Sequence, residues 1–322
     1  MQHLQKLIFD SIKNSQFPNQ PSNLYDPIRY FLSLGGKRIR PTLTLMAAEM
    51  FGIGEIMDAL SAAKSIEYFH NFSLVHDDVM DKAPLRRGKQ TVHEKWDINV
   101  AILSGDGLLV KGYQELANCP PLYIPELLKT FNRVAMQVCE GQQLDMDYEH
   151  AESISMSQYL EMIKLKTSVL LGGALQMGAI LAGASLQDQK LIYEFGENIG
   201  IAFQLQDDVL DAYGNPETFG KQVGGDILIN KKTYLLVRLL EIVEKEDKPA
   251  LDLLLASTLA DNPNKIAGVL HLYQKYAIKS SADELKDSYT KQAFERLSAI
   301  NIPNDKKEAL ITLSNQLLIR EQ

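Results

Sequence analysis

Two aspartate triplets with identical internal spacing stand far apart in the chain: Asp77, Asp78 and Asp81 in HDDVMD, and Asp207, Asp208 and Asp211 in QDDVLD. On a helix, the first and last members of each triplet share a face, and the middle one lies about 100° round. Carboxylates crowded in this way repel one another, so they call for a cation. Hard oxygen donors suit Mg²⁺, bound through few carboxylates while waters and phosphate oxygens fill the octahedron. For one triplet alone, a solvated acidic helix end explains the residues equally well. The second copy weakens that explanation. Gln204, Asp207, Asp208 and Asp211 form one polar stripe on a helix otherwise built from Ile199, Ile201, Phe203, Leu205, Val209 and Leu210. A polar stripe with apolar flanks faces a cavity or costs desolvation energy. Were the two helices to face each other across a bundle core, six carboxylates would converge, as in metal sites built inside bundles. No Glu-x-x-His pairs accompany them, which disfavours a redox di-iron centre.

Positive charge gathers beside these motifs. Arg86-Arg87-Gly88 follows the first triplet by a short loop, and Lys37, Arg38 and Arg40 sit at a helix start ahead of Pro41. Arginine offers a planar fork to phosphate oxygens, and a helix N-terminus adds its dipole. Basic residues near caps are usually just solvated. Two such clusters beside two Mg²⁺-type clusters suggest two diphosphates, one held through metal and one by side chains alone. His70, two helical turns before Asp77, shares its face, as a packed core histidine or as a ligand contact.

Helical periodicity positions all of these groups. Of 322 residues, 45% are hydrophobic and 23% charged. Helices are expected at about 3–13, 24–34, from Pro41 to Phe51, over 56–81 as one helix or two, and at 97–114, 125–149, 156–185 and 187–212. Further helices follow at about 230–245, 249–259, 263–279, 281–299 and 304–320, separated by Gly- or Pro-containing breaks. No strand alternation, repeat or composition shift stands out, so the expected architecture is one all-α domain over residues 1–322. The net charge of −8 and the lack of a basic stripe argue against a nucleic-acid partner. Cys119 and Cys139 lack metal-ligand spacing and read as reduced thiols, which favours the cytoplasm. The N-terminus has no signal-peptide pattern. The apolar stretch 168–186 approaches spanning length, but its Gln176, glycines and alanines read as a buried core helix rather than an integral membrane segment.

The segments GGKRIRP, EYFHNFSLVHDDVMD, LRRGK, KLKTSVLL, FQLQDDVLD, GKQVGGD and NKKTYLL run in that order through about residues 33–240. Together they resemble the trans-isoprenyl diphosphate synthase family. The resemblance implies the all-α isoprenoid synthase bundle around a central cavity, usually as a homodimer. It implies Mg²⁺, three ions per active site with substrate bound, held by Asp77, Asp78 and Asp81 and by Asp207, Asp208 and Asp211. Arg86, Lys166, Lys221 and Lys231 match positions that grip an allylic diphosphate. Gly36, Lys37, Arg40, His70 and Arg87 match those that bind isopentenyl diphosphate without metal. Thr167 and Gln204 match groups near the developing carbocation. The implied reaction is condensation of the two diphosphates with release of diphosphate.

Product length is expected to depend on the residues below Asp77. The first motif carries no two-residue insertion. Phe72 and Ser73 occupy the family's length-setting positions, whereas ideal helix geometry puts Ser73 and Phe69 in line beneath Asp77. Either ring would shorten the pocket. A twenty-carbon product is favoured, with fifteen next and a long-chain quinone side-chain synthase after that. A class I terpene cyclase would not need GGKRIRP, His70 and Arg87. A non-catalytic subunit of a two-chain synthase tends to lose an aspartate motif, and both are complete here.

Overall fold

The computed structural model describes residues 1–214, 224–257 and 263–318. In chain order the helices are α1 (Gln2–Lys13), α2 (Ser22–Ser33), α3 (Ile39–Phe51), α4 (Leu60–Met80), α5 (Val92–Lys95), α6 (Ile98–Ala117), α7 (Ile124–Glu149) and α8 (Met156–Ile163). They continue as α9 (Val169–Leu181), α10 (Leu186–Tyr213), α11 (Gly225–Leu228), α12 (Tyr234–Ile242), α13 (Lys248–Leu255), α14 (Pro263–Lys275), α15 (Ile278–Ala299) and α16 (Asn304–Leu318). The fold is all-α, as the periodicity predicts.

Local chemistry sets several boundaries. Gly52 ends α3 in the left-handed region, at φ 85°. The Asp97 side chain accepts from the Val100 amide and starts α6. A reciprocal Ser155–Gln158 capping box starts α8. The expected 56–81 segment resolves into a 3₁₀ turn at Ile56–Ala59 followed by α4.

Two departures from the sequence expectation bear on the site. The segment after α4 is a β-hairpin, with Leu85–Arg86 (β1) antiparallel to Lys89–Gln90 (β2). Arg87 and Gly88 at its tip both have positive φ, 53° and 72°, the backbone of a type I′ turn. Two-residue strands are too short to show alternation. The expected 156–185 helix is interrupted by a π-helical turn at Lys164–Ser168, between α8 and α9.

The chain divides into two compact units. One comprises Met1–Met136, Leu170–Tyr193 and Ile300–Leu310; the other comprises Gln137–Val169, Glu194–Ala299 and Ile311–Gln322. Within the first, α4 packs lengthwise on α6 and also meets α3. Ile66, Tyr68, Phe69 and Val75 of α4 are buried there, as are Leu108 and Leu116 of α6 and Phe131 of α7. Each such side chain contributes about 1.5–3 kcal/mol through burial. In the second, α12 packs on α8 and α15, around a core that includes Tyr159, Leu205, Val209, Tyr234 and Tyr273. The apolar stretch of α9 is buried through Leu170, Leu175, Met177 and Ile180. No described helix is long and apolar enough to cross a membrane.

Candidate active site

The first triplet ends α4, with Asp81 at the C-cap. Its members have different surroundings. Asp78 is buried, and both of its oxygens accept from Arg86 Nε, at 2.8 and 2.9 Å. Arg86 Nη2 lies 2.8 Å from Asp78 and 3.6 Å from Asp77 Oδ2. Burial pushes the Asp78 carboxyl up to about 6, against the pull of Arg86. Asp77 is half-buried and Asp81 is exposed. Asp78 therefore orients the arginine, while Asp77 turns Oδ2 toward the same guanidinium and Asp81, one turn on, is exposed.

The hairpin sends its two arginines to different sites. Arg86 turns back to the triplet. Arg87 donates through Nη1 to the Gly35 carbonyl. A Cβ on Gly36 would lie 2.8 Å from Arg87 Nη2, and Gly36 has φ +125°, so the position excludes a side chain twice over. Arg38 starts α3 in the left-handed region and is buried. It pairs with buried Glu67 and donates to the Leu32 carbonyl at 2.7 Å; Asn71 donates to Glu67 at 2.8 Å. This buried network fixes the loop bearing exposed Lys37 against α4. Arg40 Nη1 donates to His70 Nε2 at 3.1 Å. Burial lowers Arg40 to about 10, and burial together with Arg40, Arg86 and Arg87 holds His70 well below its usual range. His70 is therefore a neutral acceptor whose proton sits on Nδ1. Gly36, Lys37, Arg40, His70 and Arg87 thus belong to one cationic neighbourhood.

The second triplet lies in the other unit, on α10. Asp208 is buried and accepts from the Tyr159 hydroxyl at 2.6 Å, the Tyr234 amide at 2.9 Å and Gln204 Nε2 at 3.1 Å. Burial raises its carboxyl to about 6, opposed by those donors, and drives Tyr159 well above its usual value. Asp211 is buried and accepts from the Asp226 amide at 3.0 Å. Asp207 is half-buried. The polar stripe read from the sequence is thus partly turned inward, with Asp208 joining α8, α10 and the start of α12. Among the described residues, no group of three His, Cys, Asp or Glu side chains forms a metal cage by itself.

Lys166 and Thr167 lie in the π-helical turn. Lys166 Nζ donates to Asp145 at 2.5 Å, and Thr167 Oγ1 donates to Gln204 Oε1 at 3.4 Å. Lys231 is exposed beyond α11, its amide donating to the Asp226 carbonyl at 2.9 Å. Lys221 falls outside the described residues. Phe69 is buried in an aromatic cluster with Phe131 and Phe72, at 5.5 and 5.6 Å between centroids. Phe72 and Ser73 are half-buried.

A family model described as polyprenyl synthetase matches residues 21–273. The chain belongs to the polyprenyl synthetase family. It is similar to a crystal structure of a geranylgeranyl pyrophosphate synthase, with 44% identity and a TM-score of 0.94 over 100% of this chain and 99% of the other. A short chain isoprenyl diphosphate synthase of Methanothermobacter thermautotrophicus is 34% identical, over 97% of this chain and 95% of its own. A geranylgeranyl diphosphate synthase of Methanosarcina mazei is 40% identical, over 69% of each chain. This polyprenyl synthetase family member is a prenyltransferase of the trans-isoprenyl diphosphate synthase type.

Sequence reasoning missed Asp145 and Tyr159, the partners of Lys166 and Asp208. Gly141, four residues before Asp145, was the available signal. A Cβ there would lie 2.2 Å from the Lys166 amide nitrogen, so mid-helix glycine marks where the π turn seats against α7.

Proposed function

We propose that the enzyme joins isopentenyl diphosphate head to tail to an allylic diphosphate, with geranylgeranyl diphosphate as main product and farnesyl diphosphate next. The observation that supports this reading is a pair of unlike cationic clusters along one helix. At the end of α4, Arg86 stands with Asp77 and Asp78. Two turns earlier, Arg40 meets His70 and, nearby, Arg87 closes over Gly36, without the aspartates. The first suits a diphosphate bound through metal, the second one bound by side chains alone.

Mg²⁺ fits the donor set, because oxygen-only ligands from one or two carboxylates leave positions for water and phosphate. Asp77 and Asp81, with Asp78 beside them, would hold it, as would Asp207, Asp208 and Asp211, at three ions per active site. When bound, it neutralises charge on the departing diphosphate. Arg86, Lys166, Lys221 and Lys231 grip that diphosphate and stabilise the charge it gains as the allylic C–O bond breaks. Thr167 and Gln204 point oxygen dipoles at the developing cation. Gly36, Lys37, Arg40, His70 and Arg87 hold isopentenyl diphosphate so that its double bond attacks the allylic carbon. A proton then leaves for the released diphosphate. Apolar walls exclude water, which would quench the cation.

Phe72 is the ring the growing chain meets, backed by Phe69. The reading includes a cytoplasmic, single-domain enzyme that works as a homodimer; the exposed apolar residues of α6 support self-association. The test is elongation: purified protein, Mg²⁺, labelled isopentenyl diphosphate, and dimethylallyl, geranyl or farnesyl diphosphate in turn. A twenty-carbon product is expected. Absence of elongation with all three primers would sink the reading.

A further inference from the structure

His76, next to the first aspartate motif, is the last ring on α4 and points at α6. Its Nε2 lies 3.0 Å from the Ile102 carbonyl. A carbonyl only accepts, so Nε2 carries the proton and donates. The ring occupies the space that a side chain at position 105 would fill: a Cβ on Gly105 would lie 2.3 Å from both Cδ2 and Nε2. The same ring meets Phe72 one turn back, centroids 4.6 Å apart and planes at 61°, an edge contact. Behind Phe72 stands Phe69, 5.6 Å away, held by Phe131. Phe72 is thus clamped between a buried aromatic cluster and an imidazole pinned to the neighbouring helix.

We infer that His76, seated in the Gly105 notch of α6, is a positioning residue for product length, acting by fixing the ring of Phe72. The inference rests on the reading of Phe72 as the residue that stops the growing chain. Ser73 is half-buried beside it and offers no bulk. A Phe72 ring free to turn about χ1 would open the path, and the two groups that oppose the turn are Phe69 and His76. The notch supplies the second constraint from a different helix. A methyl at 105 has no space while the imidazole is there, so the ring must leave its carbonyl and move against Phe72.

The test compares product lengths from farnesyl diphosphate and labelled isopentenyl diphosphate for Phe72→Ala, His76→Ala, His76→Gln, Gly105→Ala and the double variant Gly105→Ala/His76→Ala. Phe72→Ala should lengthen the product, which tests the underlying reading alone. His76→Ala should raise the share of products beyond twenty carbons by about three- to tenfold, the scale of losing an aromatic edge contact. His76→Gln can keep a donor near the Ile102 carbonyl but loses the ring edge, so it should lengthen the product as well. Gly105→Ala alone should shorten the product by driving the imidazole against Phe72. The double variant should behave like His76→Ala, because the clash requires both side chains. Unfolding midpoints confirm that each variant is folded. Longer products from Phe72→Ala, with no shift from His76→Ala or His76→Gln, would overturn the inference and leave the reading of Phe72 intact. Unchanged length in Phe72→Ala would remove that reading and the inference with it. Additive effects in the double variant would show that Gly105 and His76 do not act through one contact, and would also overturn it.

Discussion

Arg86 spends its Nε on Asp78 before any substrate arrives, so the three aspartates of the first motif should respond differently to substitution. Asp78→Asn removes the charge that orients Arg86 but leaves the carboxylates of Asp77 and Asp81 in place. It should raise KM for the allylic substrate by about 10–100-fold, as loss of a supporting partner does, with the Mg²⁺ requirement little changed. Asp77→Asn should instead raise the Mg²⁺ concentration needed for half-maximal rate. Titrating Mg²⁺ at fixed substrate separates the two, and equal shifts in both variants would refute the division of roles. His70 gives a second expectation. Burial, then Arg40, hold it well below 6.5, the value it takes when solvated. As pH falls below that value, the unfolded chain binds a proton at His70 while the folded chain does not, so stability is lost on acidification. His70→Gln should therefore flatten the fall in unfolding midpoint between about pH 6.5 and 5. Parallel midpoint curves for the two proteins would count against a buried neutral imidazole.

At the scale of elements, two short irregularities set between regular helices carry candidate site residues, one in each compact unit. The hairpin Leu85–Gln90 turns Arg86 to the aspartates of α4 and Arg87 to the Gly35 carbonyl, and the π turn Lys164–Ser168 carries Lys166 and Thr167 against α7 and α10. Gly141 on α7 and Gly200 on α10 admit that turn: a Cβ at 141 would lie 2.2 Å from Lys166 N, and one at 200 would lie 2.6 Å from Ser168 Cα. Gly141→Ala should cost about 1–3 kcal/mol of stability by overpacking. It should also raise KM for the allylic substrate as Lys166 is pushed off Asp145; denaturant unfolding and primer kinetics would show both. A Gly141→Ala variant with unaltered stability and KM would mean the turn relaxes without consequence. The same elements mark where sequence reading stops. Helices such as α4 and α10 were legible because their apolar residues recur at helical spacing over many turns, and the aspartates were legible because their type and spacing are unusual. Which aspartate faces inward was not legible, because Asp78 and Asp208 are buried by partners on other elements, Arg86 of the hairpin and Tyr159 of α8. Spacing within one helix carries no information about those partners. The hairpin escaped because two residues cannot alternate, and Arg87-Gly88 lacks the Asn or Asp that usually precedes Gly in such a turn. The π turn has no sequence signature beyond the glycines it rests on.

At the scale of the molecule, each compact unit holds one aspartate motif, and the unit with the first motif also offers an apolar outer surface. Along α6, Ile98, Leu103 and Val110 are more than half exposed, at 55%, 60% and 56%. Ile102 and Tyr113 on the same helix are also exposed. Residues this apolar clustered along one helix mark an interaction surface, and a second copy of the chain, related by a two-fold axis, is the simplest partner for a self-complementary face. The inner side of this helix packs on α4 and carries Gly105, which receives His76. A homodimer formed through α6 would therefore brace the helix that positions the end of α4. Leu103→Asp and Val110→Asp place a charge on the outer face and touch nothing in the inner one. Each should convert the protein from a two-chain to a one-chain species in light scattering, at concentrations where the wild type stays paired. The one-chain form should lose rate and yield a broader spread of product lengths, because α6 no longer has a fixed backing. A wild type that scatters as a single chain would end the dimer reading. Variants that dissociate yet keep the wild-type product pattern would show that α4 and α6 hold the length gauge without help from a partner.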